Sequence, residues 1–171
     1  MRSTQTSSFQ VLATVVLLAV CRGAWAQQPL AASAPVPTEI VAAKKVFISN
    51  AGVDATSPIA FERTVGPTEP YGQFYFAMQR WGRYELVGTP SDADLVLQLR
   101  FSAPLSSCET YQPQLALTIL DTKTHFVLWT LTRPVGDARR KAAWDKNLRE
   151  SIASLVDDLK QLAAQSTVAS R

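Results

Sequence analysis

The chain has little of what most catalytic and metal-binding chemistry is built from: 171 residues contain one histidine, two cysteines and two methionines. With His125 the only imidazole, a zinc-type His-Glu-x-x-His helix cannot form. No Cys-x-x-Cys pair, Gly-x-Ser-x-Gly elbow or Gly-x-x-x-x-Gly-Lys loop occurs either. These absences speak against zinc hydrolysis, elbow-type serine hydrolysis, dithiol redox chemistry and phosphate cradling, and no cofactor is implied. Long hydrophobic runs are also missing. The longest, "VLATVVLLAV" (Val11–Val20), is shorter than the roughly 20 residues a helix needs to cross about 30 Å of hydrocarbon.

That short run has another use. Arg2 precedes it and "AWA" (Ala24–Ala26) follows, which is the charge, apolar stretch and small-residue site of a secretory signal peptide. Residues 1–26 are therefore expected to be removed, leaving an exported, periplasmic or secreted protein that begins at Gln27. "LAVC" (Leu18–Cys21) is the alternative, a lipid anchor at Cys21, but Val20 is bulky where a lipobox needs a small residue. The net charge of +3 includes Arg2 and Arg22; without them about +1 remains, so bulk charge implies no nucleic-acid partner.

Cleavage leaves Cys108 alone, so no internal disulfide can form and stability must come from a core. The neighbourhood "APLSSCETYQP" (Ala103–Pro113) is polar with prolines at its margins and reads as a loop carrying an unpaired thiol. A nucleophilic cysteine would need His125 as its base, and no further motif supports that pair.

Residues 27–43 are rich in proline, alanine and serine without a period and read as a flexible tether. A single domain is expected over 44–164, followed by a tail at 165–171. "KKVFIS" (Lys44–Ser49) gives a first strand with Val46 and Ile48 on one face. A long connection punctuated by glycine and proline follows. In "EPYGQFYFAMQRWG" (Glu69–Gly82), Tyr71, Phe74, Tyr75, Met78 and Trp81 recur at helical spacing, and Gly82 ends the helix. Such an aromatic stripe is ordinarily core packing.

"RYELVG" (Arg83–Gly88) gives a second strand, and "TPSDAD" (Thr89–Asp94) a turn. Asp92 and Asp94 lack the further ligands of a calcium loop, so they read as turn chemistry and no metal site is expected. The next strand alternates cleanly: Leu95, Leu97, Leu99 and Phe101 on one side, Val96, Gln98 and Arg100 on the other.

"QLALTIL" (Gln114–Leu120) and "HFVLWTLT" (His125–Thr132) form a hairpin around "DTKT". The even-numbered link pairs Leu120 with His125 and Ile119 with Phe126. On that register Leu115, Leu117, Ile119, Phe126 and Leu128 share an apolar face, while Thr118, His125, Val127 and Trp129 lie opposite. His125 reads as a strand end rather than a base.

The longest element is "KAAWDKNLRESIASLVDDLKQLAA" (Lys141–Ala164), a helix with Trp144, Leu148, Ile152, Leu155, Val156, Leu159 and Leu162 on one stripe. Arg139, Arg140, Lys141, Lys146 and Arg149 cluster at its start, against the macrodipole, and read as a solvated face.

The order β-α-β-β-β-β-α with two helices predicts an α+β fold: a two-layer sandwich whose roughly five-stranded sheet has both helices on one face. The open face is expected to carry the binding residues Gln98, Arg100, His125 and Trp129. "SDADLVLQLRF", "LALTILDTKTHFVLWTLT" and the last helix, over about 44–164, resemble small exported bacterial envelope domains of unknown function. In element order the chain is also similar to the α/β domains of the TolB amino-terminal part and the curli-secretion lipoprotein CsgG. The resemblance implies an accessory or assembly module rather than an enzyme. The leading expectation is thus a non-catalytic module that binds a protein partner or self-associates through the open face or an edge strand. The alternative is a small-molecule or lipid-binding protein with its pocket between the 50–70 loop and the aromatic helix.

Overall fold

The alternation of the strands and the stripes of the helices require one another: each has an apolar face that only the other can cover. The computed structural model describes residues 35–53, 69–105 and 111–165. The expected signal segment, residues 27–34 of the expected tether, most of the connection after the first strand, Cys108 and the tail beyond Gln165 lie outside the described residues.

The elements run α1 (Thr38–Ala42), β1 (Lys45–Val53), α2 (Glu69–Trp81), β2 (Glu85–Leu86), a 3-10 turn (Pro90–Asp92), β3 (Leu95–Ser102), β4 (Gln114–Asp121), β5 (Val127–Pro134) and α3 (Lys141–Gln165). They make a five-stranded mixed sheet of order β2-β1-β3-β4-β5. β1 runs parallel to both β2 and β3, and β3, β4 and β5 are antiparallel. This is the two-layer α+β sandwich, with the helices on one face.

The core fills the space between the layers. Leu95, Leu97, Leu99 and Phe101 are each no more than 2% exposed and meet Leu115, Leu117 and Ile119 of β4 across the antiparallel register. From the other layer come Phe74 and Met78 of α2 and the whole predicted stripe of α3. Phe101 and Trp144 meet edge to face at 6.1 Å. The aromatic stripe of α2 is therefore core: Phe74 and Met78 are buried, and the Tyr71 hydroxyl donates to the Ile48 carbonyl at 3.3 Å. Gly82 ends α2 at φ +67, where its N–H still donates to the Met78 carbonyl.

Two expectations change. Within the stretch expected to be a tether, Thr38–Ala42 is a helix, and Ile40 is fully buried in the core. Composition shows proline and alanine there but not that one isoleucine has a socket, with its carbonyl taking the Tyr84 hydroxyl at 3.3 Å.

The second change is the hairpin register. The closing pair is Asp121 with Phe126, since the Asp121 N–H donates to the Phe126 carbonyl at 3.1 Å. Leu120 pairs with Val127, but Ile119 pairs with Trp129, so an irregularity in β5 passes over Leu128. A one-residue slip turns every later side chain to the other face. Trp129 and Leu131 thereby face the helices beside Ile119 and Leu117, while Thr130 and Thr132 face outward. Without the slip, Thr130 and Thr132 would be turned into the core instead, so the bulge gains apolar burial. The expected face of Trp129 is corrected accordingly: it is half-buried against the core. Phe126, expected inside, is 72% exposed.

Candidate functional site

Because the three helices occupy one side, the opposite side of the sheet is covered by no described element, and the side chains standing on it form rows across the strands. One row is apolar: Phe47, Val96, Leu120 and Val127 stand beside one another on β1, β3, β4 and β5. Phe47, Val96 and Leu120 are half-buried, and Val127 is 57% exposed. The next row is polar: Ser49, Gln98, Thr118 and Thr130. Beyond it Arg100 stands exposed beside Ala116 and Thr132. The face is thus an apolar strip with Val127 at its hairpin end, bordered by hydrogen-bonding groups and one guanidinium.

Of the residues singled out in the sequence, Gln98 and Arg100 share this face. His125 sits at its end, in the hairpin turn. Trp129 does not belong to it, for the register reason above. The apolar row was only partly visible: Val96 and Val127 follow from alternation, and Phe47 could have been found from "KVFI", which puts it opposite Val46 and Ile48. Its alignment with Leu120 needs the strand order.

The turn is locally determined. The Asp121 carboxylate accepts from the Thr124 N–H at 2.9 Å and its hydroxyl at 2.6 Å, and the His125 N–H donates to the Asp121 carbonyl at 2.9 Å. His125 is held at φ +60 and exposed. Its ring lines an open cleft of about 540 Å³ with Ser91, Asp92, Asp94 and Lys123. A neighbouring cleft of about 370 Å³ lies between Glu39, Lys44, Asp94, Asp121 and Lys123.

The carboxylates between these clefts are committed to the fold. One oxygen of Asp94 takes the Lys44 N–H at 2.8 Å and the Lys45 N–H at 2.9 Å, tying β3 to the start of β1. These amides, Lys44 first, hold the Asp94 carboxyl below its usual range. The Asp121 carboxyl is held low chiefly by the Thr124 hydroxyl. Asp92 accepts from the Thr89 hydroxyl at 2.7 Å within its own turn. Asp92 and Asp94 are thus engaged separately, and among the described residues no group of three histidine, cysteine, aspartate or glutamate side chains could hold a metal ion.

The fold and open face define a class, a small α+β sandwich with one sheet face that no described element covers. No protein-family model matches the chain, and no curated protein sequence does. Among solved structures it is similar to a PelC dodecamer from Paraburkholderia phytofirmans, at 15% identity over 71% of this chain and 89% of that one, TM-score 0.43. It is also similar to the LpoB C-terminal domain from Salmonella enterica, at 14% identity over 55% and 83%, TM-score 0.41. A third is lipoprotein GNA1162 from Neisseria meningitidis, at 10% identity over 69% and 99%, TM-score 0.39. At these values no residue role passes from them to this chain.

Proposed function

We propose that this chain is a non-catalytic, exported module of the bacterial cell envelope that docks a protein partner on its open sheet face. The observation that carries the reading is the pattern on that face, the apolar row Phe47–Val96–Leu120–Val127 beside Gln98 and Arg100. Apolar centre, hydrogen-bonding border and an arginine are the ingredients of a protein interface. Export rests on the sequence of residues 1–26. The similarity in element order to TolB and CsgG agrees with an accessory role and rests on the sequence alone.

Photo-crosslinking in the native envelope tests this. A crosslinking residue at Gln98 or Arg100 should give a discrete adduct with a protein, and the same residue at Glu150, on the exposed side of α3, should not. Changing Val96 and Arg100 together to serine should abolish the adduct while the thermal melt stays near wild type. Adducts equally abundant from all three positions, or one that survives the double change, would count against the open face.

A further inference from the structure

We infer that the outer edge of β5 pairs with β5 of a second copy of this chain, antiparallel about a two-fold axis at Leu131, joining the two sheets into one. The pairing uses the backbone edge of β5, whereas the proposed docking face is made of side chains that include Thr130 and Thr132, and it stands whether or not that face takes a partner.

β5 ends the strand order, so among the described residues no strand lies along its outer side. The other edge, β2, is two residues long and offers almost no template, whereas β5 offers eight residues. Edge strands are commonly guarded by outward lysines or central prolines. On β5 the only charged residue, Arg133, is turned to the helix side and ion-paired with Asp158 of α3. The only proline is the last residue, Pro134.

The hydrogen-bond phase is fixed by Val135, whose N–H donates to the Pro113 carbonyl at 2.7 Å, continuing the register of Gln114 with Pro134. Backbone groups alternate along a strand, so Leu131 and Arg133 direct theirs to β4, and Thr130, Thr132 and Pro134 direct theirs outward. Pro134 lacks an N–H only where it would have faced away from the sheet.

Reversing the strand against itself about Leu131 brings Thr130 opposite the partner's Thr132. The two exchange both backbone hydrogen bonds, and the axis repeats the exchange. Leu131 then meets the partner's Leu131, and Trp129 meets the partner's Arg133. These are non-hydrogen-bonded positions, where side chains approach most closely. A guanidinium over an indole is a favourable cation–π pair, and no like charges oppose.

Neighbouring registers lose this match. Centring on Thr130 sets Trp129 against the partner's Leu131 and leaves Arg133 facing the stretch beyond the irregularity at the partner's Leu128, with no indole to meet. Centring on Thr132 sets Leu131 against the partner's Arg133 and puts Pro134, without its N–H, opposite the partner's Thr130. The strand from Trp129 to Arg133 is complementary to its own reverse, which points to a second copy rather than a foreign strand. The resulting interface is isologous and closes at a dimer.

Sedimentation velocity of the protein purified after export, across a concentration series, tests the pairing. Twice the monomer mass is expected. Thr130→Pro deletes an N–H that faces only outward, so it should return the monomer mass with circular dichroism and melting temperature near wild type. Should that variant unfold, Thr130→Lys with Thr132→Lys guards the same edge without touching the backbone, and it too should sediment as a folded monomer. With Cys21 and Cys108 changed to serine, Leu131→Cys should crosslink to itself on mild oxidation and Arg100→Cys should not. A wild type that stays monomeric throughout, a dimer that survives in a folded edge variant, or crosslinking through Arg100→Cys instead of Leu131→Cys overturns the proposal.

Discussion

His125 shows how little of a residue's role its chemistry alone conveys. Its imidazole invites a catalytic reading, yet its defining feature is the backbone, at φ +60 in a turn whose other bonds come from Asp121. Left-handed backbone costs a side chain with a Cβ roughly 1–2 kcal/mol, which glycine escapes at an unfolded-state entropy cost of about 0.4–1 kcal/mol. His125→Gly should therefore stabilise the domain by between zero and about 1.6 kcal/mol. His125→Val, β-branched in the same region, should lose about 1 kcal/mol or more. Urea midpoints measure both; a valine variant as stable as wild type would show that the turn is not held as described.

Asp94 is the converse, a residue that resembles a ligand and serves as a latch. Its folded carboxyl lies lower than an unfolded one, chiefly through the Lys44 and Lys45 amides. The ionised form is thus favoured by folding. The stability it contributes is complete above the unfolded value of about 3.9 and is lost as pH falls through the lower folded value. Asp94→Asn should cost about 0.5–1.5 kcal/mol at neutral pH, as an amide oxygen is the poorer acceptor. It should also flatten the loss of stability below about pH 4. Asp121, shifted the same way, keeps part of that acid sensitivity. An unchanged acid limb in thermal melts of Asp94→Asn would contradict the latch.

At the scale of elements, β3, β4 and α3 were legible because each is regular over its whole length: strict alternation at Leu95–Phe101 and an unbroken stripe from Trp144 to Leu162. β5 was legible as a strand and illegible in its facing. Its irregularity at Leu128 is an event between two strands, chosen because it buries Trp129 and Leu131 in place of two threonines. This has a measurable consequence. Trp129→Ala should destabilise the domain by about 1–3 kcal/mol, between the cost of about 2–5 kcal/mol for Leu117→Ala in the core and that of about 0.5 kcal/mol or less for Arg100→Ala on the open face. A tryptophan on the open face would instead give a cost like that of Arg100→Ala, so chemical denaturation of the three variants decides between the registers. The short helix at Thr38–Ala42 escaped notice for a related reason: five residues carry too little period to stand out, and Ile40 belongs to the core only because Tyr84 and the sheet are there to receive it.

At the scale of the molecule, helices on one side of five strands leave a face that no described element covers, and the proposed function follows from that imbalance. Among the described residues no helix is long and apolar enough to cross a membrane. The proposed export carries its own prediction. Intact-mass measurement of the protein from the cell envelope should give a chain that starts at Gln27. A lipid-modified Cys21 would make the exported module an anchored one, and a retained segment 1–26 would remove the proposal of export.

The sequence by itself determined the sandwich, because hydrophobic periods of two and of 3.6 admit only one way of hiding their apolar sides when two helices meet five strands. It also determined that Gln98 and Arg100 stand together, since residues two apart on a regular strand share a face. Only the tertiary structure decided which residues of different strands become neighbours. The row from Phe47 to Val127, the latch of Asp94 on β1 and the inward turn of Trp129 all depend on strand order and register. These are set by packing summed over the whole core rather than by any stretch of chain read alone.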